Sequence, residues 1–88
     1  MNELNRQIKF SIEPNPVKDY TYIYFDPASA NNIKGSIYDV KGDLIETIDN
    51  LQPSISYSLN FTNYAAGTYF LHLDTDKQSV VQKIVKVK

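Results

Sequence analysis

The sequence contains no cysteine, so neither a disulfide framework nor a thiolate metal site is available to it. Histidine occurs once, as His72 between Leu71 and Leu73. With no cysteine and no second histidine, nucleophilic catalysis lacks its usual partners, and His72 reads as an ordinary strand residue. Glycine is scarce: Gly35, Gly42 and Gly67 do not match the spacing of any phosphate-cradling loop. No stretch approaches the roughly 20 consecutive apolar residues of a membrane-spanning helix. The polar start, residues 1–7, lacks the apolar segment of a signal peptide. An exported form would therefore carry its signal upstream, in a larger precursor, with Met1 a start introduced by cloning. Neither charge sign is in excess, since nine Lys+Arg stand against ten Asp+Glu. That near balance removes the basic footprint of a nucleic-acid binder. The closest acidic pair, Asp74 and Asp76, sits where a turn is expected and reads as turn chemistry. No catalytic, cofactor or metal site and no small-molecule substrate is expected.

What remains is ample material for a small core. The chain has 88 residues, is 42% hydrophobic, and includes seven Tyr and four Phe. A domain of this size buries roughly 60–65% of its unfolded surface. Apolar residues alternate with polar ones along most of the chain, which is strand periodicity. Ile8, Phe10 and Ile12 alternate with polar neighbours until Pro14-Asn15-Pro16, whose two missing N–H donors end the first strand. A second strand, Tyr20–Phe25, places Thr21, Ile23 and Phe25 on one face and the stripe Tyr20, Tyr22 and Tyr24 on the other.

A turn-rich loop follows over residues 26–32, then a third strand, Ile33–Asp39, and a fourth over 44–48. The three-residue connection Val40-Lys41-Gly42 predicts a type I turn closed by a left-handed glycine, with Asp39 leading in. Leu51-Gln52-Pro53 reads as a link. Residues 55–61 form a fifth strand, 62–67 a corner, and 69–74 a sixth strand. Tyr69, just past Gly67, fits the tyrosine corner of Greek-key sandwiches. The last strand, 79–87, is ambiguous, because Val80 and Ile84 face opposite Val81, Val85 and Val87. Either both faces are covered or a bulge shifts the register. The expected fold is all-β, an immunoglobulin-like antiparallel β-sandwich of about seven strands. The sequon Asn60-Phe61-Thr62 lies at a strand end and reads as a chance match.

Four segments in order carry a family likeness: Pro14-Asn15-Pro16-Val17-Lys18-Asp19, Ser36-Ile37-Tyr38-Asp39-Val40-Lys41-Gly42, Ala66-Gly67-Thr68-Tyr69-Phe70, and Lys83-Ile84-Val85-Lys86. Together they resemble the type A C-terminal sorting domain of type IX secretion substrates in Bacteroidetes, the Por secretion sorting domain, over residues 8–88. Tyr64, where the family more often has an aliphatic residue, and the tyrosine-rich second strand are departures that leave the motif order intact. The resemblance implies a domain at the end of a cargo protein, recognised in the periplasm and directing passage through the outer-membrane translocon. A surface sortase-like peptidase would then cut it off, upstream of the first strand. On this reading residues 1–7 are a linker or an N-terminus introduced by cloning. The sorting-motif positions are Pro14, Asn15, Pro16, Asp39, Gly42, Gly67, Tyr69 and Lys83.

Fold maintenance alone accounts for the glycines, the prolines and Tyr69. Recognition is therefore expected from exposed groups: Lys83, Lys86 and Lys88 with the end of the last strand, and the stripe Tyr20, Tyr22 and Tyr24. Strand addition to a sheet edge is one mechanism for the former, testable by deleting residues 83–88 with the fold kept. The lysines also suit protection of an edge strand from aggregation. The alternative function is an immunoglobulin-like accessory module that binds carbohydrate, or a neighbouring domain, through its tyrosine face.

Overall fold

The computed structural model describes residues 9–25, 32–51, 56–75 and 78–88. These form seven strands and no helix: β1 (Phe10–Glu13), β2 (Tyr20–Phe25), β3 (Ile33–Asp39), β4 (Leu44–Leu51), β5 (Tyr57–Asn60), β6 (Gly67–Asp74) and β7 (Ser79–Lys86). They make two antiparallel sheets, ordered β1-β2-β5 and β4-β3-β6-β7. The chain passes between sheets after β2, after β4 and again after β5. The sheets pack face to face, as in a β-sandwich.

Alternation decides which face is inside. On β2 the buried residues are Thr21, Ile23 and Phe25, and all three tyrosines point out. On β6 they are Tyr69, Leu71 and Leu73. Ile33, Ile37, Ile48, Leu51, Leu59 and Ile84 close the core with Val17 and Phe61. Phe10 and Ile12 pack half-buried against its rim, and Ile8 lies outside the described residues. Thr21 is fully buried yet satisfied, because its hydroxyl donates to the Pro14 carbonyl at 2.7 Å.

The β3–β4 hairpin follows the sequence expectation closely. The Gly42 N–H donates to the Asp39 carbonyl at 3.0 Å, and Gly42 has φ of 92°. Asp39 Oδ1 also accepts from the N–H groups of Lys41 and Asp43, at 2.9 and 3.0 Å, which explains an aspartate at this place. A Cβ on Gly42 would meet no neighbour, so the cost of substitution is conformational. Gly42→Val is expected to destabilise the domain by about 1–3 kcal/mol in denaturant titration, with the unfolding cooperativity unchanged.

Three expectations are corrected. The fourth strand does not stop at residue 48 but runs to Leu51, which is core rather than link; a shift in pairing between Ile33 and Gly35 re-aims this end of the hairpin. The fifth strand is shorter, Tyr57–Asn60, and Phe61 is held beyond it by its N–H donating to the Asp19 carbonyl at 2.8 Å. The last strand has neither a bulge nor two covered faces. Its eight pairs with β6 are unbroken, from Gly67 with Lys86 to Asp74 with Ser79. Ile84 points in and is buried, whereas Val81 points out and is 55% exposed. The loop at 26–31, Gln52, Pro53, Ile55 and Asp76 fall outside the described residues.

Candidate functional site

The sequence motifs at Pro14-Asn15-Pro16 and at Lys83-Ile84-Val85-Lys86 are far apart along the chain, and the fold joins them through contacts of Asn15 that span 68 and 70 positions. After β1 the chain leaves its own sheet and crosses to the free side of β7. There Val17 forms a parallel bridge with Lys86. The Val17 N–H donates to the Val85 carbonyl at 2.8 Å, and the Val87 N–H donates to the Val17 carbonyl at 2.9 Å. Asn15 continues this ladder with its side chain: Nδ2 donates to the Lys83 carbonyl at 2.9 Å, and Oδ1 accepts from the Val85 N–H at 3.0 Å. A carboxamide presents an N–H donor beside a carbonyl acceptor, as the backbone does, so it substitutes for the backbone beside Pro16, which has no N–H.

Lys86 contradicts its expected place on the recognition surface. It pairs in register with Gly67 on the inward side of β7 and is 8% exposed. Its ammonium donates to the carbonyls of Lys18 at 2.6 Å and Val87 at 3.2 Å. A buried cation needs such acceptors, and here they tie the last strand to the segment that covers it. Period-two counting does place residue 86 with Ile84, so the inward direction was available from the sequence; the charge argued the other way. Lys83 and Lys88 are exposed, as expected.

The remaining motif positions hold local structure. Tyr69 is buried, and its hydroxyl donates to the Ala65 carbonyl at 2.7 Å, the geometry of a tyrosine corner. Its ring meets Phe61 edge-on at 5.6 Å and Tyr64 at 5.3 Å. Tyr64 is half-buried, and its hydroxyl donates to Glu46; burial, then that hydrogen bond and the Glu46 charge, push the phenol well above its ordinary range. An aromatic residue at 64 thus ties the corner to β4, a link that sequence reading missed. Gly67 opens β6 at φ 151°. Pro14 and Pro16 are exposed on either side of Asn15.

Two outer faces are open. On the three-stranded sheet Tyr20, Tyr22 and Tyr24 are 48, 38 and 45% exposed, with the Tyr22 and Tyr24 rings 6.2 Å apart. Ser11, Glu13, Ser58 and Asn60 flank them in register. On the four-stranded sheet, Leu44, Tyr38, Phe70 and Lys83 form one transverse row. His72 lies in the next row, between Ser36 and Val81, with its ring 4.6 Å from Tyr38. Asn60 Oδ1 accepts from both the N–H and the hydroxyl of Thr62, which engages the sequon locally. One shallow dent, lined by Lys9, Phe10, Ser11, Tyr24 and Phe25, opens beside β1. Among the described residues, no three acidic or histidine side chains gather as a metal-holding group.

Comparison with protein families gives a match to the secretion system C-terminal sorting domain over residues 11–88, which includes all four motif segments. A search of curated proteins gives no match.

Proposed function

This chain belongs to the C-terminal sorting domains of type IX secretion, and from that membership we propose that it acts as the export address of a larger protein. The family is a sorting signal and not an enzyme family. On our reading the chain is itself a substrate: it follows a cargo, is carried through the periplasm in folded form, engages the outer-membrane translocon, and is removed at the cell surface by a sortase-like peptidase. Residues 1–7 serve as the linker to the cargo on which that peptidase acts, and 8–88 as the sorting domain. The mature cargo ends on the surface or outside the cell.

The single observation that carries this reading is the family match across residues 11–88. The architecture supports it physically. Function in such a fold rests on sites carried by its edges and faces, and two of the motif segments, 14–19 and 83–86, meet at the last strand and its cover. We assign recognition to exposed groups, Lys83 on β7, Lys88 just beyond it, and the tyrosine stripe on the opposite sheet.

The test is export of a reporter placed between a cleavable signal peptide and residues 1–88, in hosts with and without an intact type IX pathway. Reporter at the surface or in the medium only when the pathway is intact is the expected result. The same distribution in both hosts would overturn the assignment.

A further inference from the structure

The edge of β7 is divided. β7 is the last strand of its sheet, so one side of its backbone pairs with β6 and the other faces away. The bonds at Val85 and Val87, and the one at the Lys83 carbonyl, show that odd-numbered residues turn their peptide groups to that far side. The cover made by Asn15 and Val17 ends at the Lys83 carbonyl. By the same alternation the N–H of Lys83 and both peptide groups of Val81 point outward beyond it. Among the described residues, no strand stands opposite them.

This edge differs from the other edge of the same sheet. β4 pairs with β3 through two register irregularities and carries Glu46 and Asp49, both devices that discourage a further strand. β7 lacks the first, since its eight pairs with β6 are continuous, and its exposed charge is confined to Lys83 at the end of the uncovered stretch. The edge is also competent, because it already accepts chain at Val17 in a parallel bridge.

We propose that the uncovered half of this edge, residues 79–83, receives an extended segment of a partner polypeptide, which joins the four-stranded sheet as an added strand. Main-chain bonds to Val81 and Lys83 supply the affinity, and the neighbouring side chains set the choice. Val81 and Lys83 both stand on the outer face, with Val81 55% exposed. The segment that fits places an apolar residue beside Val81 and an acidic one, two positions along, beside Lys83. The cover at Asn15 fixes where such a strand must stop.

The proposal rests on the sorting assignment, and the experiment separates the two. Proline is tolerated on an edge strand where its missing N–H faces away from the sheet. Val81→Pro therefore removes an outward donor and leaves the ladder to β6 in place; Lys83→Pro does the same at the second position, and Val81→Thr is the control. All are compared in the reporter fusion in the pathway-proficient host, after each domain is melted. Both proline variants are expected to melt within about 8 °C of the parent. Their pathway-dependent export should fall about tenfold or more, whereas Val81→Thr, which keeps the N–H and alters only the side chain, should fall by no more than about threefold. Folded proline variants exported within about twofold of the parent would overturn the proposal, given ordinary affinity scaling. Failure of both to fold would also overturn it, because the outward amides would then belong to the ladder. If the parent fusion itself shows no pathway dependence, the sorting assignment fails instead.

Discussion

A chain ending at Gln82 is expected to have no cooperative unfolding transition. The six residues removed look like a tail in the sequence but are structural in the fold. Ile84 is fully buried between the sheets, and losing that side chain alone costs about 2–5 kcal/mol. The truncation also removes four of the eight β6–β7 pairs, from Lys83 to Lys86. Asn15 and Val17 lose every main-chain partner on β7, and the Lys18 carbonyl loses the Lys86 ammonium. Domains of 88 residues are stable by only about 4–13 kcal/mol at typical values per residue. With about 0.5–1.5 kcal/mol for each lost hydrogen bond, the summed loss is comparable with the whole of that stability, so circular dichroism and proteolysis should both report an unfolded chain. A native-like melt would show that the last strand is accessory. The consequence for mechanism is direct: deletion of residues 83–88 cannot separate recognition from folding, contrary to the sequence expectation, whereas point changes at outward positions of β7 can.

The fold was legible wherever one face of a strand is wet. β2 and β6 alternate cleanly because their outer faces meet solvent, and the Asp39 to Gly42 turn could be read from a local rule that tertiary packing does not override. Legibility failed at the end of β4, where a change of pairing carries Leu51 into the core, and along β7, where apolar residues occupy both faces. Val81 and Val85 are aliphatic on the outward side, next to Phe70 and His72 on β6, so periodicity alone could not choose the buried face.

The site was half legible, for a different reason. Lys83, Lys88 and the three tyrosines stand exposed where the sequence placed them. The partnership of Asn15 with Lys83 and Val85, by contrast, spans 68 and 70 positions, and no local pattern encodes it. Lys86 escaped because a charged residue is assumed to face water unless acceptors are known to await it. Those acceptors are carbonyls of Lys18 and Val87, and their position is a property of the assembled edge.

Phe61→Ala is expected to lower export in step with the fold it loses, while leaving every exposed group and the whole C-terminal segment unchanged in sequence. Phe61 is fully buried, and its ring packs against Tyr64 at 4.7 Å and Tyr69 at 5.6 Å. Truncation there removes the centre of the three-ring cluster that joins β5 to the tyrosine corner, at about 3–5 kcal/mol. For a domain of this size that is a drop of roughly 12–40 °C in melting temperature. The variant separates two ways in which a terminal domain could be read. If the translocon reads a linear tail, Phe61→Ala should be exported like the parent, since residues 79–88 are intact. If it reads a folded surface, as the joining of Asn15, Val17 and Lys86 across the sandwich implies, export should fall in step with the folded fraction. Measuring melting temperature and surface reporter on the same fusions, with Tyr22→Ala as an exposed-site control of near-parental stability, distinguishes the two. Full export of a demonstrably unfolded Phe61→Ala would assign recognition to the unfolded end and remove the folded edge from the mechanism.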